Sequence, residues 1–279
     1  MALTRPVALA AALVVTGVLG GCGLSEAQTS ASAVRAYDGP LYVARDQATH
    51  PSAGASGDAV DCRYFGRGGF NDSATYAEGA TADSPEAALD TARSERIFEG
   101  AQDGLQVAAR DDDRVLYVIE VDGAIKQAVI VHDGPAAEGT GGPGWYVESW
   151  ARCDWSELPP SVSAFAPEVW TDRDGTRVST DELESYVGPT HCDWQSVVLL
   201  EFDGNWRRTY VRRPTPELVD LLAGPYREHV RLPADAVPTR YEREGDRLWL
   251  SADRDTAYVG SGPADVEAWP REVRPIGCD

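Results

Sequence analysis

The chain has 279 residues, 43% of them hydrophobic, and 45 acidic against 25 basic side chains leave a net charge of −20. With 8 Trp and 11 Tyr it has ample apolar surface for one large or two small domains, which excludes wholesale disorder. The charge repels nucleic acid and bare anionic headgroups, so no nucleic-acid partner is expected, and it favours cations or basic partners.

In chain order, Met1 to Arg5 supply a positive end and Val7 to Gly20 an apolar run of 14 residues. That run suits an export signal and falls short of the roughly 20 residues a membrane-spanning helix needs. Leu19-Gly20-Gly21-Cys22 reads as a lipobox, two small residues before a cysteine that signal peptidase II would expose once it carries lipid. Residues 1–21 are therefore expected to be a lipoprotein signal peptide and Cys22 the lipidation site. Two or three acyl chains there would anchor the protein stably at the outer face of the membrane. An ordinary secretory signal with an incidental cysteine is the alternative.

Residues 22–58 read as a tether and N-terminal extended segment. Gly23 to Arg35 is rich in Ser, Ala, Thr and Gln, Leu41-Tyr42-Val43 is a candidate first strand, and His50 to Asp58 is small and loop-like. Residues 59–153 read as an α+β module. Ser84-Pro85-Glu86 offers a capping hydroxyl, a proline at the first helical position and an acid, which predicts a helix to about Glu95 that buries Ala88, Leu89 and Ala92. Strands are predicted at about 105–109, 115–121 and 124–131, with Asp122-Gly123 as a two-residue hairpin turn. A glycine-rich loop at 139–144 leads to a further strand at 145–150.

Asp154 to Pro167, with Pro159-Pro160, reads as an interdomain linker, and 168–279 as a β-rich C-terminal module. There, strands at 168–171 and 176–178 would flank an Asp174-Gly175 turn, and strands at 196–202 and 209–211 would flank Asp203-Gly204. Pro216 to Leu222 is a candidate short helix, followed by strands at 248–251, 257–259 and 266–269. The two halves share an ordered set of weak matches. Asp113-Arg114-Val115-Leu116 compares with Asp246-Arg247-Leu248-Trp249, and Val147-Glu148-Ser149-Trp150 with Val266-Glu267-Ala268-Trp269. The expected fold is α+β: two small β-rich modules, each a mainly antiparallel sheet with one or two helices and its own disulfide.

With Cys22 given to lipid, Cys62, Cys153, Cys192 and Cys278 remain, an even set in an exported chain. Four cysteines allow three pairings, and local closure favours Cys62–Cys153 and Cys192–Cys278. None forms a CxxC, which speaks against a zinc ribbon or a thioredoxin-like motif.

The densest cluster of reactive types is Gly188-Pro189-Thr190-His191-Cys192-Asp193-Trp194. A Cys–His nucleophile is one reading. A cystine packed by Trp194 is the preferred one, because adjacent strand residues point to opposite faces. Asp172-Arg173-Asp174-Gly175 loosely matches a calcium loop, yet the twelfth position is Leu183, which offers no oxygen; a hairpin turn is expected. Asp111-Asp112-Asp113 reads as a solvated turn, and Gly66-Arg67-Gly68-Gly69 and Gly139-Thr140-Gly141-Gly142 as flexible loops without the Lys and Ser/Thr of a phosphate-binding pattern. There is no GxSxG or HExxH, and acidic pairs for glycoside hydrolysis are too numerous to single out. Trp145, Trp150, Trp170, Trp194, Trp249 and Trp269 read as packing residues, with sugar stacking as the alternative. No catalytic residue, metal ligand or cofactor is assigned.

The C-terminal half resembles a family of uncharacterised actinobacterial lipoproteins and secreted proteins. The resemblance is carried by Gly188 to Ser196, Leu248-Trp249-Leu250, Ala257-Tyr258-Val259, Val266 to Arg271 and Ile276-Gly277-Cys278. It implies an envelope location and brings no activity with it. The expectation is a lipid-anchored, extracytoplasmic protein held to the membrane through Cys22. Its leading function would be non-enzymatic binding of an envelope protein, a wall component or a small ligand. A surface hydrolase, with a site built from carboxylates and His distant in sequence, is the alternative.

Overall fold

The computed structural model describes residues 35–70, 81–101, 103–134, 143–160, 166–202 and 208–277. The segment expected as a signal peptide, the expected lipidation site Cys22, residues 23–34 of the expected tether, the loop at 139–142, the Asp203-Gly204 turn and Cys278 lie outside the described residues. Among the described residues no helix is long and apolar enough to cross a membrane.

The hairpin at Asp122-Gly123 forms as the sequence predicts: both residues have positive φ, 52° and 80°, the conformation a two-residue turn between twisted strands requires. It joins β3 (Arg114–Val121) to β4 (Ala124–Gly134). With β1 (Phe65–Phe70), β2 (Gln106–Arg110) and β5 (Gly144–Cys153) they make a five-stranded antiparallel sheet ordered β1-β5-β4-β3-β2. Both faces of this sheet are covered, which is why β3 and β4 read as continuous apolar runs instead of alternating. On one face lies α2 (Pro85–Ser94), capped by Ser84 and burying Ala88, Leu89 and Ala92 against Val115, Val129, Val131 and Trp150. On the other lie Leu41 and α1 (Gly54–Ala59), against Leu116, Val118, Ala128 and Ile130.

Three local expectations are corrected in this half. Leu41 to Val43 forms no strand; Leu41 plugs into the core while Tyr42 stays exposed. The stretch read as a loop at 50–58 contains α1, whose small residues are there for close approach: Gly54, Ala55, Ser56 and Gly57 are buried, and Ser56 Oγ meets Ser149 Oγ at 2.8 Å. Gly66-Arg67-Gly68-Gly69 is likewise no flexible loop but the middle of β1. A Cβ at Gly68 would sit 2.4 Å from the Ala53 methyl, and one at Gly69 2.3 Å from the Trp150 indole nitrogen. The glycines are what let α1 and Trp150 press onto this strand.

In the second half β6 (Glu168–Val169), β8 (Leu183–Val187), β9 (Val198–Phe202) and β10 (Arg208–Arg212) form a four-stranded sheet ordered β10-β9-β8-β6. A six-stranded sheet holds β7 (Thr171–Asp172), β11 (Arg227–Val230), β12 (Val237–Arg243), β13 (Asp246–Leu250), β14 (Thr256–Gly262) and β15 (Asp265–Pro270), ordered β11-β15-β14-β13-β12-β7. The strand predicted at 168–171 is split, and the fully buried Trp170 marks where the chain passes from one sheet to the other. Residues 176–178 give a single bridge, Arg177 to Thr171, in place of a strand. Pro216–Leu221 is a 3-10 turn. The two sheets share one core, in which Leu183, Leu200 and Tyr210 meet Leu248, Val259 and Trp269.

The strands β1 to β5 and β11 to β15 follow the same antiparallel order: the first pairs with the last, and the others run as a meander. The segments matched in the sequence fall on corresponding strands, β3 with β13 and β5 with β15. Cys62 and Cys153 form a disulfide across 91 residues.

The segment expected as a linker begins as an ordered joint. Asp154 is 1% exposed; its carboxylate accepts from Ser156 N, Thr180 N and Thr180 Oγ1. Arg177 donates to the Leu158 and Trp155 carbonyls, and Glu157 accepts from Lys126 Nζ and the Arg63 and Tyr64 amides. Residues Val34–Asp279 thus make one compact unit.

Candidate functional site

A cleft of about 430 Å³ opens where the two halves meet, a size within the usual range for small-molecule sites. One wall comes from the first half. β1 and β5 pair with a bulge at Gly66, between the Phe65–Cys153 and Arg67–Arg152 pairs, and the missing side chain there leaves room for the Arg152 guanidinium. A Cβ on Gly66 would sit 2.7 Å from an Arg152 terminal nitrogen.

Arg152 is held on three sides. One terminal nitrogen donates to the Cys153 carbonyl at 3.1 Å, the other lies 3.8 Å from Glu99, and the guanidinium stacks 4.2 Å from the centre of the Trp155 ring. Its side chain is 6% exposed, and its Nε–H has no acceptor among the described residues. Burial lowers its pKa, with Arg67 acting the same way, against the carboxylates of Glu99, Asp154 and Glu184. Arg67, exposed on the rim, donates to Glu99 at 3.1 Å.

The facing wall comes from the second half. It carries Thr180, tied to Asp154 across the joint, and the acids Asp181, Glu184 and Glu201, the last accepting from the Tyr186 hydroxyl. On one wall Arg67 and Arg152 thus share Glu99, while the other wall is acidic. Among the described residues lining it there is no histidine, serine or cysteine.

A second polar cluster lies on the first sheet. Glu148 is buried and takes two hydrogen bonds from Arg114, both at 2.9 Å. His132 Nδ1 is 3.1 Å from Glu148 and 3.0 Å from the Tyr146 hydroxyl, and its Nε2 is 3.4 Å from Asp113. Burial works to raise the Glu148 pKa, but the bonds from His132 and Arg114 prevail and hold it below its ordinary 4.5. Both imidazole nitrogens and both carboxylate oxygens face partners within the cluster, so it serves as a structural network.

The residues singled out in the sequence stand elsewhere. Cys192 is a half-cystine in the 3-10 turn Thr190–Cys192 and not on a strand; His191 is exposed beside it. The thiol-nucleophile reading is thereby closed, and Cys192 packs against the cluster that contains Trp194. Asp172 Oδ1 accepts from Asp174 N and Thr176 N, closing a plain turn with Gly175 at φ 80°. Asp113, read as part of a solvated turn, belongs to the His132 cluster. Trp150, Trp170, Trp194, Trp249 and Trp269 are all buried. The tryptophan in the cleft is Trp155, which belongs to no motif legible in the sequence. Among the described residues no group of three or more His, Cys, Asp or Glu is placed to hold a metal ion. Comparison of the chain with protein-family models, with curated proteins and with solved structures finds no match.

Proposed function

We propose that this is a lipid-anchored, extracytoplasmic binding protein that holds a small polar ligand in the cleft between its two halves. The observation that carries the reading is the cleft itself, about 430 Å³ and walled by both halves, with the Arg152 guanidinium set into one wall between Glu99 and the Trp155 ring. The lipobox at Leu19 to Cys22 and the resemblance of the C-terminal half to envelope lipoproteins support the location.

The strand order that β1 to β5 share with β11 to β15 supports a plan of two related modules, each closed by its own disulfide. Cys62–Cys153 would be matched by Cys192–Cys278. Ile276, two residues from Cys278, packs on the same cluster as Cys192.

The test is a thermal-shift screen of the full chain, purified with its lipid, against amino acids, short peptides, sugars and polyols. A ligand at a hundred times its Kd adds about 2.7 kcal/mol, and Arg152→Ala should abolish the shift. Binding that survives in Arg152→Ala, or no stabilisation by any solute, refutes the proposal. Peptide mass mapping without reduction reads the lipid on Cys22 and the second bridge in the same preparation.

A further inference from the structure

Each hydrophobic cluster among the described residues lies within one half. Trp155 and Leu158 pack with Ala101 and Ile119 of the first, and Val178 with Trp170 and Leu183 of the second. Every extensive packing of one strand or helix on another is likewise internal to a half. Two bodies without a common apolar core can move as units, because only a large hydrophobic interface would lock them together.

What joins them is polar. The loop between β7 and β8 brings up Arg177 and Thr180. Thr180 N donates to both Asp154 carboxylate oxygens, at 3.0 and 3.1 Å, and Thr180 Oγ1 donates to Oδ2 at 2.5 Å. Arg177 donates to the Leu158 and Trp155 carbonyls, the latter at 3.1 Å. Each side of this seam is fixed in its own half. Asp154 N donates to the Tyr64 carbonyl at 2.8 Å, and Leu158 is 1% exposed. On the opposite side, Val178 N donates to the Trp170 carbonyl at 2.8 Å.

Asp154, Trp155 and Thr180 also line the cleft, where Glu184 attracts Arg152 electrostatically. The separation of the cleft walls therefore follows the state of the seam. Hydrogen bonds exchange with water at small net cost, so a seam made of them can open and close where an apolar one would stay shut.

We propose that Asp154, Thr180 and Arg177 form a latch that holds the two halves closed, and that its release lets them swing apart as rigid bodies and widen the cleft. This goes beyond the binding reading and does not need it: a cleft that takes no solute leaves the latch as it is.

The experiment is a pulsed electron-resonance distance measurement on the full chain. Spin labels are placed on Val107→Cys of β2 and Val237→Cys of β12, positions 48% and 53% exposed. A pair at Val219 and Val237, both in the second half, is the internal control. The distribution between the halves should be narrow with the seam intact. In the Arg177→Met/Thr180→Val variant it should broaden at least twofold toward longer distances, as hinge motion requires, while the control pair stays unchanged.

An unaltered distribution in that variant overturns the latch. So does a distribution already broad with the seam intact, since nothing is then held closed. If the control pair moves as well, Arg177→Met alone decides, because it leaves Asp154 bonded to Thr180. Broadening confined to the pair that spans the halves supports the latch, and its absence refutes it.

Discussion

The Cys62–Cys153 bridge allows a stability calculation that rests on topology alone. It closes a loop across 91 residues, and the chain-entropy relation assigns such a loop about 15 cal/mol/K, or about 4.6 kcal/mol at 25 °C. Replacing both cysteines by alanine removes the constraint without leaving an unpaired thiol and spares any second bridge, which a reducing agent would not. For a cooperative unit the length of Val34–Asp279 the unfolding entropy is about 0.5 kcal/mol/K, so the melting temperature should fall by about 9 °C. Cys153 is fully buried, so the lost packing of its sulfur adds to that figure. The assay is calorimetry of the wild-type chain and the C62A/C153A variant under identical non-reducing conditions. A fall of less than about 3 °C would refute the reasoning. It would mean that the unfolded chain already keeps the two ends of the loop close, leaving little entropy for the bridge to remove.

Gly68→Ala should destabilise by about 1–3 kcal/mol through overpacking, because its Cβ would meet the Ala53 methyl and the Trp150 carbonyl oxygen, the latter at 2.8 Å. The urea midpoint reads this, and an unchanged midpoint would show that α1 does not press on β1. Ser84→Ala should cost about 1 kcal/mol by removing the oxygen that accepts from Ala87 N at 3.2 Å, measured the same way. Glu148→Gln leaves a mostly buried Arg114 facing a neutral amide and should cost about 2–4 kcal/mol at pH 7. The folded-state pKa of Glu148 is depressed below 4.5, so its contribution is fully present above about that pH and is lost as pH falls through the depressed value. The gap between wild type and variant should therefore narrow between pH 5 and pH 3; a constant gap would show that the carboxylate charge is not what stabilises.

How far the fold could be read depended on whether local chemistry alone specified each element. Ser84-Pro85-Glu86 caps a helix wherever it occurs, and Asp122-Gly123 can turn a hairpin by itself, so α2, β3 and β4 were legible nearly to the residue. β1 and α1 were not, because their glycines and alanines serve neighbours that the sequence places far away: Trp150, Arg152 and the face of the sheet. The polar strands β11 and β12 carry little apolar alternation and gave no signal. The cleft was illegible for the same reason on a larger scale. Its walls are drawn from Gly66-Arg67, Glu99, Arg152 to Trp155, Thr180 to Val187 and Glu201, and no two of these stretches form a motif. Gly66-Arg67 lies in a glycine-rich stretch that reads as a flexible loop, which hides its place in β1 and in the cleft wall.

The strand order of the first sheet also governs when it can be completed. Among the described residues β1 finds its only strand partner in β5, where Gly69 pairs with Trp150, so a chain emerging from its N-terminus exposes β1 long before it can be paired. β11 waits less than half as long, since Val230 pairs with Val266. Long-range pairing of this kind slows folding and leaves an edge open to wrong partners. The glycines of Phe65–Phe70 lower its intrinsic strand propensity, making it a poor template while it waits. The same residues that accommodate Trp150 and Arg152 in the finished sheet therefore protect the nascent chain from pairing too early.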